Sequence, residues 1–324
     1  MTLFRRSALA AGLATLLAGP ALAQTQITIQ HALPLNSHYG AGALAFQEAL
    51  QRLTSNRFAV TIQRNDNERE MIESVQIGTL DCTITSTGPV GNFVPAVRNV
   101  DVPFLFRDYA HARGVLDSEI GQELLAQFTP RGLAGVIWME NGFRHLTNSR
   151  REVTTPEHVR GLKVRTMENQ VHMRAFTALG ALPTPMAFSE LVPALQQGTV
   201  DGQENPIPVI VANNLNQVQR HLSLTAHVYS PAVLICSPAT LAALSAEDRA
   251  HFMAAARAAQ EANRNRVSED ERNGVDELRR RGMTVITEVD TAAFQNALAP
   301  AFAEFERTLD GALLRRIRDW RPAG

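Results

Sequence analysis

Val75-Gln76-Ile77-Gly78-Thr79-Leu80-Asp81 returns as Leu195-Gln196-Gln197-Gly198-Thr199-Val200-Asp201. Agreement at four of seven positions is weak by itself in a chain of 324 residues. Its weight comes from context. Met71, Ile72 and Val75 precede the first Gly; Phe188, Leu191, Val192 and Leu195 precede the second. Apolar residues at helical spacing followed by Gly mark a helix and its stop, because Gly adopts positive φ without steric cost. A short apolar strand then opens after each Gly. This doubled joint predicts an α/β fold of two similar lobes with a cleft between them.

The flanking segments agree. Residues 27–31 alternate like a strand, 40–53 carry Leu44, Phe46, Leu50 and Leu53 at helical spacing, and 58–62 read as a second strand. Asn67 with Glu70 three residues later resembles a capping box for the helix that runs to Gly78. A strand over 80–85 ends at a turn, Ser86-Thr87-Gly88-Pro89. That β–α–β–α–β order is the doubly wound α/β signature.

The second joint sits in the same order. A strand over 162–166 leads to a helix with Val171, Ala175, Phe176 and Leu179 on one face. Residues 183–186 are a short connection, Ser189 an N-cap, and a strand over 199–203 follows Gly198. Residues 228–235 read as a strand whose Pro231 places it at an edge or a crossover. The stretch 245–281 is long, polar and helical, interrupted at Gly274 and stopped by Gly282. Its sparse apolar positions suit a strut across both lobes better than a coiled coil. Residues 294–320 read as one more amphipathic helix. With no low-complexity linker, the chain is expected to cross between lobes more than once.

Composition narrows the function classes. Arg5-Arg6, the apolar run 8–17 and Ala21-Leu22-Ala23 form an export leader cleaved after Ala23. The apolar run is too short to span a bilayer comfortably, and the general secretory route fits better than the twin-arginine one. No Cys follows the cleavage box, which argues against a lipid anchor. Without the leader, 29 basic residues face 32 acidic ones, a net charge of −3. No basic tract or aromatic–basic alternation points to nucleic acid. Cys82 and Cys236 could pair in an exported compartment, but two Cys make no disulfide framework, and two buried free thiols are expected.

Chemistry concentrates between Gly161 and Pro206. Lys163 and Arg165 share one face of a strand that Arg165 ends, and strand C-termini of open α/β sheets are where ligands bind. An Arg there suits a carboxylate, through two parallel charge-assisted bonds; pairing with an internal Glu fits equally well. Asp201-Gly202-Gln203-Glu204-Asn205-Pro206 leaves the second joint toward the cleft rim, where strand-end solvation is the ordinary explanation. Asn141 to Asn148 places Arg144 in another strand-like segment. The nine His show no metal-ligand spacing, and no nucleophile elbow or phosphate-binding glycine loop is present. Glu190, Asp201 and Glu204 could be imagined as a glycosidase pair, but carboxylates are common.

The block Gly161-Leu162-Lys163-Val164-Arg165, the string from Leu179 to Glu190 and the string from Ala194 to Pro206 resemble a known family. It is that of the periplasmic solute-binding subunits of tripartite ATP-independent periplasmic (TRAP) transporters, of the C4-dicarboxylate-binding DctP type. Residues 101–106, 141–144 and 227–231 look like further family blocks. The resemblance implies a two-lobed periplasmic binding protein with several hinge crossings and a long helix bridging the lobes. Lobe I would comprise 24–141 plus about 231–270, and lobe II 142–230 plus about 271–324. A monomer without cofactor or metal would close on a small organic acid and deliver it to the membrane permease subunits. By the same resemblance Arg165 pairs with the ligand carboxylate, Arg144 assists and Asn205 adds a hydrogen bond. Ser86 and Thr87 are first-lobe candidates. The 63–67 connection is shorter than in many relatives. C4-dicarboxylates, sugar acids, hydroxy acids and 2-oxo acids all satisfy the anionic requirement. A ligand-presenting sensor or a carboxylate-handling enzyme would use the same cleft.

Overall fold

The structure, a computed structural model, describes residues 24–322. The leader and its cleavage site lie outside the described residues. The chain runs β1 (Thr25–His31), α1 (His38–Leu53), β2 (Phe58–Arg64), α2 (Glu68–Gln76), β3 (Cys82–Ser86) and α3 (Thr87–Val90). A 3-10 helix (Pro95–Asp101), α4 (Tyr109–Asp117), α5 (Glu119–Ala126) and β4 (Ala134–Asn148) follow. Next come β5 (Lys163–Thr166), α6 (Gln170–Ala178), β6 (Leu182–Pro185), α7 (Phe188–Gln196), β7 (Gly202–Pro206) and α8 (Ile207–Ala212). The remainder is β8 (His221–Cys236), α9 (Pro238–Ala242), α10 (Ala246–Arg280), β9 (Thr284–Ile286), α11 (Thr291–Ala297), α12 (Ala299–Thr308) and α13 (Gly311–Asp319).

The strand order is β2-β1-β3-β8-β4-β7-β5-β6, with β9 on β8. β1, β2 and β3 are parallel to one another, as are β5, β6 and β7. These two parallel sets belong to the two lobes, and the long antiparallel pair β4/β8 joins them.

The repeated joint does the same work in both lobes. Gly78 and Gly198 hold φ of +78° and +70°. The amides of Thr79 and Leu80 donate to the carbonyl of Ser74, and those of Thr199 and Val200 to that of Ala194. The Asp81 carboxylate then accepts the amide of Thr28 in β1, and that of Asp201 accepts the amide of Lys163 in β5. Their carbonyls accept from Ser237, just past β8, and Ser149, just past β4. Each Asp therefore pins one parallel and one antiparallel neighbour. The strands begin one residue after each Asp, later than the apolar pattern indicated.

Between Met139↔Ala232, beside the end of β3, and Arg144↔Val228, beside the end of β7, the β4/β8 pair has no flanking strand. A bulge falls there, at Glu140/Gly142, where Gly142 holds φ +118° and Pro231 lies opposite Glu140. Pro231 thus marks a crossover inside the sheet and not an edge. The carboxylate of Glu140 accepts from Tyr229 and from Arg113, and Asn263 of α10 bonds its amide and carbonyl.

Five further expectations need correction. Cys82 and Cys236 form a disulfide. The β3/β8 register sets them directly opposite each other, Cα–Cα 4.0 Å, although 154 residues separate them in sequence. Residues 183–186 supply most of β6, whose two prolines are tolerated because the strand closes the sheet edge. α7 begins at Phe188, with Ala187 at the N-cap and the Glu190 carboxylate accepting the Ala187 amide, so Ser189 is already inside the helix. Residues 86–89 are no simple turn, since α3 starts at Thr87. The 294–320 stretch is broken into α11, α12 and α13. α12 is ion-paired to α6 through Glu304 and Arg174, whereas α13 reaches α5 through Arg316 and Glu123.

α10 spans about 50 Å at helical rise and lies across both lobes. Phe252 meets Phe46 of α1 edge-on at 4.9 Å, Asn263 bonds the backbone of Glu140 in β4 and the carbonyl of His38 in α1, and Gly274 abuts α8. The helix is continuous through Gly274, which is there for contact and does not interrupt it. A Cβ on Gly274 would lie 2.4 Å from the Cγ2 of Ile207, a fully buried β-branched side chain. Gly274→Ala is therefore expected to lower stability by about 1–3 kcal/mol despite the better helix propensity of Ala. Urea unfolding checks this, and a stabilised variant would show that α8 can yield.

Candidate functional site

The C-terminal ends of the two parallel sets, Ser86 of β3 and Pro206 of β7, meet at the middle of β4/β8. A small cavity of about 20 Å³ lies there. Tyr39, Glu68 and Ser86 line it from the first lobe, Asn141 from the crossing strand, and Arg165, Phe188 and Asn205 from the second. A larger groove, about 310 Å³, lies at the far end of the first lobe near Thr25. Its charged groups are engaged with one another, Arg57 with Asp248, and Asp81 with Thr28 and Thr240. The cleft cavity is the chemically equipped one.

Arg165 shares its face of β5 with Lys163, but Lys163 opens the strand and is exposed, whereas position 165, toward the C-terminal end, is buried to 1% exposure. Nε and Nη2 both donate to the Met186 carbonyl, at 3.1 and 2.8 Å. The guanidinium carbon lies 5.9 Å from the centre of the Phe188 ring. Nη1 is buried and has no partner among the described residues. Burial, then the nearby charge of Arg144, lowers the Arg165 pKa to about 10, so the group remains a cation. The hydroxyl of Tyr39 is a second buried polar group without a partner. Arg165 from the second lobe and Tyr39 from the first thus bring two unpartnered groups, each able to donate, to the same cavity.

Arg144 lies behind this wall. It is fully buried, and its Nε and Nη2 grip both carboxylate oxygens of Glu204. Nη2 also donates to the Glu204 carbonyl and to Asn205 Oδ1. Burial would raise the pKa of Glu204, but the Arg144 charge and a hydrogen bond from His227 hold it well below the usual carboxylate range. His172, 3.8 Å from Glu204, is kept neutral by burial, its pKa down to about 3. The Arg144 charge is thus matched by Glu204, with Nη1 buried and unpartnered among the described residues, and Arg144 reaches the cavity-lining Asn205 through Nη2. Asn205 donates in turn to Gln203 Oε1.

The first-lobe candidates separate. Ser86 lines the cavity, with its hydroxyl 3.3 Å from that of Ser230. Thr87, one residue later, donates to Asp101 and lies 3.2 Å from the Pro231 carbonyl. Glu68, Tyr39, Asn141 and Phe188 are cavity residues the sequence reading did not single out. Glu68 sits in the first turn of α2, just after its Asn67 N-cap. Its Oε1 accepts from Thr85 and from the Ser86 amide, both at 2.9 Å, and burial raises its pKa. Among the described residues no group of three or more His, Cys, Asp or Glu is arranged to hold a metal.

A family profile described as "Bacterial extracellular solute-binding protein, family 7", DctP, matches residues 29–308. The chain belongs to that family. It is 50% identical over 301 residues to a solute-binding protein of Verminephrobacter eiseniae, covering 92% of this chain and 90% of the relative. A TRAP periplasmic solute-binding protein from Polaromonas sp. JS666, bound to D-erythronate, superposes with a TM-score of 0.91 at 51% identity, covering 93% of this chain and all of the other. A Bordetella TRAP solute-binding protein, with density assigned as pantoate, gives 0.90 at 47%, covering 92% of this chain and all of the other. The family and these neighbours are periplasmic solute-binding proteins and not enzymes. The two lobes, the cleft and the bridging helix are those of a TRAP solute-binding protein.

Proposed function

We propose that this DctP-family protein captures a short hydroxylated monocarboxylate in the Arg165 cavity and passes it, unchanged, to a TRAP permease. The unpartnered Nη1 of Arg165 is the observation that carries the reading. A ligand carboxylate would accept from Nη1 and from the Tyr39 hydroxyl, with Asn205 and Ser86 as further polar contacts. Arg144 supports this set through Asn205. We assign lobe I as 24–141 plus about 231–270 and lobe II as 142–230 plus about 271–324. The mature protein, cut after Ala23, would act as a monomer in the periplasm.

The charge arrangement favours one carboxylate over two. Among the described residues that line the cavity Arg165 is the one cation, and Glu68 places a carboxyl group on the opposing lobe. A second ligand carboxylate would face Glu68, and like charges in a desolvated cleft cost several kcal/mol. Ligand hydroxyls instead donate to Glu68. The hydroxy-monocarboxylates named for the two solved relatives, D-erythronate and pantoate, fit this pattern. Closure would follow because the ligand touches both lobes, and only differential contact shifts the population toward the closed form.

Calorimetry with D-erythronate, pantoate and succinate tests this. Saturable binding of a hydroxy-monocarboxylate and much weaker binding of succinate are expected. Glu68→Gln should improve succinate binding by about tenfold or more, since relief of a like-charge contact is worth at least ~1.4 kcal/mol. Succinate as the tighter ligand of the unaltered protein would overturn the monocarboxylate assignment.

A further inference from the structure

A second set of buried polar groups joins the lobes beside the cavity. Asp101, at the end of the 3-10 helix, and Thr87, at the start of α3, belong to the first lobe; Asn169, the N-cap of α6, belongs to the second. Thr87 Oγ1 donates to Asp101 Oδ1 and Asn169 Nδ2 to Asp101 Oδ2, both at 2.6 Å. Asn169 Oδ1 meanwhile accepts the amides of Val171 and His172, at 2.8 and 3.1 Å. All three side chains are at least 98% buried. The seam continues outward: Asn92 Nδ2 donates to the Glu168 carbonyl at 2.7 Å, and Met167 packs so closely on Gly88 that a Cβ there would lie 2.5 Å from its terminal methyl.

We propose that the Thr87–Asp101–Asn169 chain is an interlobe latch that favours the closed form through protein–protein hydrogen bonds alone, in register with the ligand site. The register comes from the backbone. Arg165 is the penultimate residue of β5, Met167 and Glu168 make the turn after Thr166, and Asn169 caps α6, so the ligand-facing cation and the latch donor sit four residues apart. A movement that brings Arg165 to the first lobe brings Asn169 to Asp101. Opening the lobes exchanges these bonds for bonds to water, so the latch weights the closed state by their net worth, which is larger for a charged acceptor such as Asp101 than for a neutral one. Thr87, expected from sequence among the ligand contacts, serves closure instead. The latch rests on ligand-driven closure in the proposed function but makes a separate claim about what holds the closed form.

Asn169→Asp is the sharp test. It retains the oxygen that caps α6 and replaces the Nδ2 donor with an oxygen facing Asp101. Adding Asp101→Asn exchanges donor and acceptor and restores the bond. Lobe separation is read without ligand from spin labels at Ile77→Cys and Leu182→Cys, exposed positions on opposite lobes, the native cysteines being disulfide-bonded. Affinity is read with D-erythronate. Asn169→Asp is expected to keep its unfolding temperature in the open form, lower the closed fraction and weaken D-erythronate binding about 10- to 100-fold. The double variant should return to within about threefold of the unaltered protein. Unchanged distances and affinity in Asn169→Asp, or no recovery in a folded double variant, overturn the latch. Failure of the unaltered protein to bind D-erythronate overturns the ligand reading instead, and the distance distributions then decide the latch.

Discussion

Arg165→Ala is expected to remove organic-acid binding almost entirely, by about 2–5 kcal/mol, or roughly 30- to 5,000-fold in Kd. The magnitude follows from placement. The guanidinium is buried, held in plane by two bonds to the Met186 carbonyl and beside the Phe188 ring, with Nη1 buried and unpartnered in a residue that lines the cavity. Without it, a ligand carboxylate would be desolvated with no cation on the cavity wall. Arg165→Lys should also bind poorly, since an ammonium cannot hold both the Met186 carbonyl and the ligand in one plane. The loss should be functional and not a collapse of the fold. Burial already disfavours this cation, as its lowered pKa shows, so the ligand-free unfolding temperature is expected not to fall in Arg165→Ala. Calorimetry beside thermal unfolding separates the two effects. Undiminished binding by a folded Arg165→Ala protein would remove Arg165 from the site.

The parts of this structure that local chemistry specifies were legible in the sequence. Gly78 and Gly198 needed positive φ, and Asn67 and Ser245 cap helices where their side chains reach free amides. Arg165 stood at a strand end beside a specific family block. What could not be read depends on register between distant segments. Nothing near Cys82 or Cys236 indicates that β3 and β8 align them. Pro231 announced an irregular strand, but only the β4/β8 bulge makes that irregularity an internal crossing. Glu68 looks like a helix-start acid until the end of β3 is seen beside it. Arg144 and Arg165 were alike as charged residues in strands, and the internal-Glu alternative entertained for Arg165 describes Arg144 instead. That difference arises from pairing β4 with β7, which sets Arg144 beside Glu204 and Asn205.

Glu204→Leu is expected to destabilise the ligand-free protein by about 3–5 kcal/mol, because it leaves the fully buried Arg144 charge uncompensated. Arg144→Met with Glu204→Leu should recover most of that loss, since replacing a buried pair by apolar residues of similar volume is often neutral or stabilising. The pH dependence has a definite sign. The pKa of Glu204 lies below its ordinary 4.5, so the pair's contribution is complete above pH 4.5 and declines as pH falls toward the depressed value. The stability gap between the unaltered protein and Glu204→Leu should therefore be flat from pH 6 to 8 and narrow below about 4.5. Urea unfolding across that range measures it, and a gap that widens on acidification contradicts the charge assignment. The same double variant decides how Arg144 serves the ligand. Acting through Asn205 Oδ1, it orients one hydrogen-bonding side chain, and its removal should weaken binding by roughly 1 kcal/mol, about fivefold. If Arg144 instead touched the carboxylate directly, the double variant would lose affinity as heavily as Arg165→Ala, because a second cation would have left the ligand.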